Sequence, residues 1–335
     1  MIVLDSNQIR LFLPGTPALR QLAAVATKAG HTIATTDMVF REVVRQHHAR
    51  LLAAAKALST GQREFNELVT SPEGRARVPF SDSRLRHGFA RREIRAFETA
   101  FHEAYRVLPT LPEDALKALQ WEADHRGPCR NGTGARDAAI WLSAERACET
   151  PDLNEAGRRL PVIFVSGDND FSAPGDPSSL AEDLRSDHTR SGMMKLKKGV
   201  VDVLVDLGYP KRRVDAQKIT DLPDFRNALF DAAMDEGGLS ISAMNMERLG
   251  DAEIGIHLRR GAEAYECRGN DMTLTSIQGT WGVRVVIERL PRRPDGRAGG
   301  QRLLGRPMEI EATALLVENH EQQTTTIEIF PTVTW

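Results

Sequence analysis

The sequence predicts an α/β fold in its first half, then a helical segment, then a C-terminal antiparallel β domain. Apolar runs at residues 1–4 and 161–165 each stop at turn-forming Asx residues, as buried parallel strands do. Helical patterns lie between these two runs, which favours a small parallel sheet flanked by helices. From residue 253 onward, apolar and polar residues alternate with a period of two, which is typical of antiparallel strands.

Acidic residues follow both predicted parallel strands. Asp5 comes directly after the first strand, and Asp168 and Asp170 follow the strand at residues 161–165. Open parallel sheets bind ligands outside the carboxyl ends of their strands. We therefore expect these three side chains to lie along one rim of the sheet.

Two further acidic residues lie near predicted helix starts. Asp137 stands in the first turn of a helix that follows the Gly-containing loop at residues 131–134. Glu42 stands early in a helix that begins near Met38. Because the first turn of a helix favours an anion, Asp137 also has a simple local explanation, worth about 0.3–1 kcal/mol.

Carboxylates that share one cleft repel one another and lose hydration. Such a cluster indicates a bound metal ion or strongly raised pKa values. Oxygen-only ligation favours Mg²⁺ or Mn²⁺ over zinc. Taken singly, Asp5 and Asp168 are also explained as Asx turns that close strands, and Glu42 as part of a solvated helix face.

Four motifs together resemble those of the PIN domain family, metal-dependent nucleases that act mostly on RNA. The motifs are Leu4-Asp5-Ser6-Asn7, Val39-Phe40-Arg41-Glu42, Arg136-Asp137-Ala138-Ala139-Ile140-Trp141 and Val165-Ser166-Gly167-Asp168-Asn169-Asp170-Phe171. They occur in the family's order and cover residues 1–175. The stretch between the second and third motifs is longer than in the compact toxin-type members. It is similar to the larger branch of the family and predicts a helical insertion at residues 84–125.

The resemblance implies a hydrolase that cuts phosphodiester bonds with the help of Mg²⁺ or Mn²⁺. Asp5, Asp137 and Asp168 would hold the ion with help from Glu42, and Asp170 would support this site or bind a second ion. The choice between Asp168 and Asp170 as the direct ligand stays open.

Three polar residues beside these carboxylates have supporting roles in this interpretation. Ser6 and Ser166 are expected to hydrogen-bond a carboxylate or a phosphate oxygen. Arg136, next to Asp137, is expected to contact a substrate phosphate.

The formal net charge of −2 gives the chain no overall basic field for nucleic acid, so local patches would have to bind it. The first candidate patch lies in the insertion, and Arg91, Arg92 and Arg95 are its expected RNA contacts. The alternative for this patch is a solvated helix face. Its full set is Arg84, Arg86, His87, Arg91, Arg92 and Arg95. A second candidate, beyond the nuclease-like part, comprises Lys195, Lys197, Lys198, Lys211, Arg212 and Arg213.

At 335 residues with 41% hydrophobic residues, the chain has enough material for two or three domains. Residues 1–175 are assigned to the nuclease-like domain and residues 176–238 to a helical connecting segment. Residues 239–335 are assigned to the β-rich domain, which carries no catalytic pattern. That domain is expected to be an interaction or sensing module, which serves self-association, positions the nuclease, recognises a trigger or binds a regulatory protein.

Three cysteines are too few and too scattered for a disulfide framework, and no Cys/His spacing suggests zinc. The sequence has neither a secretory pattern nor an apolar stretch long enough for a membrane span. These features predict a reduced, cytoplasmic protein that does not associate with membranes.

The sequence thus predicts an endoribonuclease, and the family resemblance suggests a toxin or defence effector. RNA processing is the alternative within the same chemistry, and DNA stays open as a substrate. A nucleic-acid-binding or sensing module without cleavage is the alternative of a different class. A phosphatase is disfavoured, because Asp5-Ser6-Asn7 lacks the second Asp that an aspartyl-phosphate mechanism places two residues on.

Overall fold

A computed structural model describes most of the chain, which divides into two compact units, Met1–Val203 and Leu204–Trp335. The described residues are 1–69, 83–186, 193–235, 253–259, 262–269, 272–289, 301–303, 308–320 and 323–331. The Gly237-Gly238 pair, where the sequence periodicity changes, and residues 292–300, whose Pro and Gly content predicts a hairpin loop, lie outside these ranges.

The first unit alternates strands and helices. Its strands are β1 (Ile2–Leu4), β2 (Ile33–Thr36), β3 (Arg106–Leu108), β4 (Val162–Val165), β5 (Ser172–Ala173), β6 (Asp176–Leu180) and β7 (Met194–Lys197). Its helices are α1 (Ser6–Ile9), α2 (Pro17–Lys28), α3 (Asp37–Leu68), α4 (Ser83–Ala104), α5 (Pro112–Ala123), α6 (Ala135–Arg146) and α7 (Glu182–Ser186). Helix α8 (Val200–Asp206) spans the division between the units, and short 3₁₀ turns cover Ala147–Glu149 and Asn169–Phe171.

Five of the described strands form a parallel sheet in the order β3-β2-β1-β4-β7. Strands β1 and β4 lie at its centre, and every residue of both is buried. A strand covered on both faces reads as a continuous apolar run, which is why the sequence revealed these two. The predicted parallel sheet flanked by helices is confirmed.

The sheet extends beyond the predicted domain limits. Strand β7 pairs with β4, so the sheet continues past residue 175, and the predicted turn-rich boundary holds the β5–β6 hairpin. Strand β3 lies inside residues 84–125, so that insertion is not purely helical but supplies an edge strand. Residues 176–238 likewise mix strands with helices.

The second unit is built around an antiparallel sheet. Its strands are β8 (Lys211–Arg213), β9 (Glu253–Leu258), β10 (Glu263–Arg268), β11 (Met272–Arg289), β12 (Gln301–Leu303), β13 (Met308–Asn319) and β14 (Thr324–Pro331). Its helices are α9 (Ala216–Thr220) and α10 (Pro223–Asp235). The described strands follow the order β14-β13-β11-β10-β8, and β9 and β12 also pair with β11. The predicted antiparallel domain is confirmed.

Strand β11 organises this sheet, because β9, β10, β12 and β13 all pair with it. Gly279 and Gly282 interrupt its apolar pattern, yet the strand continues through both. A Cβ at Gly282 would lie 2.4 Å from the ring of His257, so the neighbouring side chain explains the glycine. Beside it, Trp281 is fully buried and donates from Nε1 to Thr220 Oγ1 at 3.1 Å.

Three buried aromatic rings fix the end of β4 in the first unit. Phe164 lies on β4, Trp141 on α6 and Phe171 in the 3₁₀ turn that follows β4. The centroid of Phe164 is 5.5 Å from that of Trp141 and 5.1 Å from that of Phe171. These contacts hold α6 and the loop after β4 against the same strand.

Replacing Phe171 with Ala is expected to lower the free energy of unfolding by about 3–5 kcal/mol, because it leaves a cavity among fully buried rings. Urea denaturation followed by fluorescence measures this loss. Leu116→Ala on α5 is the matched control, because Leu116 is exposed, and it is expected to change stability by less than about 0.5 kcal/mol. Equal losses in the two variants would contradict the packing described here.

Candidate active site

The register of the parallel sheet sets three residues side by side. Leu4 is paired with Val165, and Val165 is paired with Lys197. The pattern continues one residue further, since the Asp5 amide donates to Val165 O at 3.0 Å and the Ser166 amide donates to Lys197 O at 2.9 Å. Asp5 and Ser166 therefore lie in one row at the carboxyl edge.

Asp5 is buried and held by two short hydrogen bonds. It caps the N-terminus of α1, where its Oδ1 accepts from the Ser6 amide at 2.6 Å. Its Oδ2 accepts from the Ser166 hydroxyl, also at 2.6 Å. Ser166 thus contacts a carboxylate through its side chain, as expected, whereas Ser6 does so through its backbone.

Asn7, interpreted from sequence as a turn former, links the two loops of the rim. Its Oδ1 accepts from the Gly167 amide at 3.2 Å, while its Nδ2 donates to Asp5 Oδ2 and Ser166 Oγ, both at 3.4 Å. An Asn after a strand is typical of a turn, so its position in the sequence does not predict these bonds. They fix the loop after β1 against the loop after β4.

Asp168 and Asp170 occupy different environments. Asp168 caps the 3₁₀ turn, with its Oδ1 accepting from the Asp170 amide at 2.9 Å, and its own amide donates to Ser166 Oγ at 3.1 Å. The charge of Asp168 raises the pKa of Asp5 and of Asp137. Asp170 is exposed on the surface, but partial loss of hydration and the charge of Asp168 still raise its pKa. The charge of Asp168, and not that of Asp170, is thus among the main influences on the pKa values of Asp5 and Asp137.

Lys198, the residue after β7, braces this loop. Its Nζ donates to Asp168 O at 2.6 Å and to Asn169 Oδ1 at 3.1 Å. The basic cluster that contains Lys198 was predicted to lie beyond the nuclease-like part. Lys198 instead follows β7 of the first unit, and only Lys211, Arg212 and Arg213, which form β8, belong to the second unit. The alternation of residues 194–197 was the signal that could have identified the strand.

Asp137 lies in the first turn of α6, as predicted. Gly134 precedes the helix at φ +119°, a conformation that favours glycine, and a Cβ there would also lie 3.3 Å from Pro128 O. Glu122 from α5 accepts from the Ala135 amide at 2.7 Å. These contacts set the direction of α6 and with it the position of Asp137.

Arg136 joins Asp137 to Glu42. Its Nη1 lies 3.1 Å from Glu42 Oε2, and its Nη2 lies 3.2 Å from Asp137 Oδ1. Glu42 also accepts from Gln46 at 2.8 Å, and its side chain is only 10% exposed. Glu42 is therefore not part of a solvated helix face.

The cluster destabilises its own charges. The pKa of Asp5 is raised to about 6, mainly by burial and also by the charges of Asp137 and Asp168, against the two hydrogen bonds that lower it. Burial also raises the pKa of Asp137, and the charges of Asp168 and Glu42 add to that effect. The structure thus brings Asp5, Glu42, Asp137 and Asp168 into one interacting group.

The carboxylate oxygens of this cluster are the atoms that would hold a metal ion. Within the described residues, no three His, Cys, Asp or Glu side chains form a ready-made metal-binding group. The chemistry of the donors nevertheless fits a hard divalent cation, because they are all oxygens and a cation would offset the burial and the carboxylate repulsion that raise the pKa values of Asp5 and Asp137.

The predicted basic patch lies along α4. Arg91, Arg92 and Arg95 are exposed, whereas the side chains of Arg84 and Arg86 fall outside the described residues. Rings of α4 and α3 pack together, with Phe97 stacked on His47 at 4.1 Å between centroids. Phe40 of α3 contacts Phe101 of α4, so the two helices run antiparallel, and the arginines of α4 lie beyond His47 on the side away from Glu42.

Two features bear on the predicted environment. All three cysteines are buried and form no disulfide. No helix in the described ranges combines the length and the apolarity needed to cross a membrane.

Asp5→Asn is expected to gain stability relative to the wild type as pH rises from 4 to 7 in EDTA. The pKa of Asp5 rises from 3.8 to about 6 on folding, so its favourable contribution is complete below pH 3.8 and is lost as pH rises through 6. The loss is at most roughly 3 kcal/mol, and Asn does not undergo it.

Melting temperatures of the two proteins across this pH range measure the effect. Burial lowers the pKa of His31 to about 4, so the contribution of His31 rises with pH between 4 and 6.5 and opposes that of Asp5. Both proteins share this contribution, and their difference therefore isolates Asp5. A difference that does not vary with pH would refute the assignment.

A family model described as a PIN domain matches residues 2–171, just over half of the chain. No curated protein and no solved structure matches the chain. PIN domains are generally nucleases, hydrolases that act on nucleic acids and typically use divalent metals. The match covers β1 to β4 and all four predicted motifs. The chain therefore belongs to the PIN domain family.

Proposed function

We propose that this protein is an endoribonuclease that requires Mg²⁺ or Mn²⁺. The observation that carries the proposal is the electrostatic coupling of Asp5, Asp137 and Asp168 at one edge of the parallel sheet, with the pKa of Asp5 raised to about 6. Burial and the charges of Asp137 and Asp168 destabilise the ionised form of Asp5, and the positive charge of a bound cation would offset that cost. A divalent ion supplies that charge and is also what phosphodiester hydrolysis requires.

Asp5, Asp137 and Asp168 would hold the ion, and Glu42 would assist from α3. When bound, the ion lowers the pKa of a coordinated water and stabilises negative charge on the scissile phosphate. Asp168 is preferred to the exposed Asp170 as the direct ligand, because it is the charge of Asp168 that acts on Asp5.

The remaining residues orient these carboxylates. The hydroxyl of Ser166 is fully buried and donates to Asp5 at 2.6 Å, which fixes the direction of the carboxylate. Lys198 holds the backbone of the loop that carries Asp168. Outer partners of this kind reduce the freedom of the ligands before the ion arrives.

RNA is the proposed substrate, and the exposed arginines of α4 are the proposed phosphate contacts. A toxin or defence role, with RNA processing as the alternative, rests on the family resemblance. The three buried cysteines form no disulfide, which is consistent with a reducing cytoplasm. We assign the antiparallel unit to self-association or to binding of a regulatory protein.

The purified protein is expected to cut a circular single-stranded RNA in Mn²⁺ or Mg²⁺ and not in EDTA. A circle has no ends, so its linearisation, measured on a denaturing gel, identifies internal cleavage. Asp137→Asn and Asp5→Asn are each expected to lower the rate by about a hundredfold or more, since loss of even an outer partner of a metal ligand costs about 10–100-fold.

Glu113→Gln is the matched control for the loss of one negative charge. Asp114, the next residue, pairs with Arg146 in the last turn of α6, so Glu113 lies at the end of that helix opposite to Asp137. Unchanged cleavage in both Asp variants would exclude the proposed site. RNA binding without cleavage in either metal would favour a binding module.

Replacing Arg91, Arg92 and Arg95 together with Gln is expected to weaken RNA binding and its salt dependence. Each phosphate contact with a single strand contributes about 0.7 to the slope of log K against log salt, so the slope should fall by about 2. Fluorescence anisotropy at several salt concentrations measures it. The exposed Arg158 and Arg159, which precede β4 at the amino edge of the sheet, provide the Gln control. An unchanged slope in the triple variant would show that these arginines form a solvated helix face and do not contact RNA.

A further inference from the structure

Arg136 supplies the positive charge in direct contact with two carboxylates of the site. Its guanidinium bridges Glu42 of α3 and Asp137 of α6, with nitrogen–oxygen distances of 3.1 and 3.2 Å. Its Nε donates to the same oxygen of Asp137 at 3.2 Å. The two carboxylates thus share one cation, which belongs to the protein itself.

This contact is unusual for neighbours in a helix. Residues at positions i and i+1 of a helix do not face each other, so Arg136 must fold back over Asp137 to reach its carboxylate. The second pair, with Glu42, connects residues 94 positions apart in sequence. Because the guanidinium joins two helices at the carboxylate cluster, it neutralises charges that would otherwise repel.

The exposure of the three side chains differs in an informative way. Glu42 is 10% exposed and Asp137 is 24% exposed, whereas Arg136 is 49% exposed. Ion pairs with a half-exposed partner are weak, because water solvates the released cation and screens the contact. The guanidinium can therefore leave at low cost, while the carboxylates stay in place.

We propose that Arg136 is an exchangeable cation, which neutralises Glu42 and Asp137 in the metal-free protein, is displaced by the divalent ion, and then contacts a phosphate of the substrate. This inference rests on the proposed function, since it concerns the same site. Arg suits both positions, because its planar fork of donors matches carboxylate and phosphate alike.

The first test is the affinity for Mn²⁺ without RNA, measured by calorimetry. Arg136→Gln is expected to bind Mn²⁺ about five- to tenfold more tightly than the wild type, the range expected when two half-exposed ion pairs need not be broken. Arg136→Lys keeps the charge and is expected to lie between the two. Arg158→Gln removes an exposed charge at the opposite edge of the sheet and is expected to match the wild type.

A second readout guards against a variant that is merely misfolded. In EDTA, Arg136→Gln is expected to melt at a lower temperature than the wild type, because Glu42 and Asp137 then repel without a shared cation. Mn²⁺ is expected to raise the melting temperature of this variant by more than that of the wild type. Weaker Mn²⁺ binding by Arg136→Gln would instead show that Arg136 is a permanent brace between α3 and α6, and would overturn the proposal.

The contact with phosphate is tested by RNA binding in Ca²⁺. Arg136→Gln is expected to bind RNA several-fold more weakly although it binds the ion more tightly, a combination that a purely structural role does not produce. If the wild type binds Mn²⁺ and cuts RNA while Arg136→Gln has unchanged Mn²⁺ affinity, this inference alone fails. If neither protein binds Mn²⁺, the proposed function fails together with it.

Discussion

The structure of the first unit depends on one electrostatic constraint, the crowding of carboxylates at the carboxyl edge of its parallel sheet. The sheet register and the capping of α1 fix Asp5, and the aromatic cluster fixes the loop that carries Asp168. Hydrogen bonds to a charged group contribute about 1.5–3 kcal/mol each, and burial of an unpaired charge costs several kcal/mol. The two hydrogen bonds therefore orient Asp5 and offset part of the cost of its burial, but its pKa remains raised, and a proton or a cation stabilises the group further.

The sequence revealed the parts of this site that depend on local pattern. Asp5 and Asp168 follow apolar runs, and Asp137 follows a Gly-containing loop, so strand and helix ends located all three. The pairing of Arg136 with Glu42 could not be found in this way, because it joins distant segments through side-chain directions that spacing does not encode. The contact of Lys198 with the Asp168 loop was missed for a different reason. The strand before it, β7, is short, and its lysines are typical of a solvent-exposed segment.

The same distinction explains the second unit. Its period-two pattern predicted antiparallel strands, and the sheet is antiparallel throughout its described part. Gly279 and Gly282 lie within the continuous strand β11, where they accommodate the neighbouring residues Ala262 and His257. A glycine in the sequence indicates conformational freedom of the backbone. Only tertiary packing shows whether that glycine forms a turn or lets a neighbouring residue approach the backbone closely.

The C-terminal limit of the first unit is set by its parallel sheet and not by the four motifs. A domain that stopped at residue 175 would leave the outer edge of β4 without β7 and would deprive the Ser166 amide of its acceptor, Lys197 O. Ser166 is the residue that orients Asp5, so the loss of an edge strand would act directly on the centre of the site. An unpaired edge of buried, apolar residues is also a site for aggregation. The motifs locate the chemistry within residues 2–171, but the strand that completes its support lies beyond them.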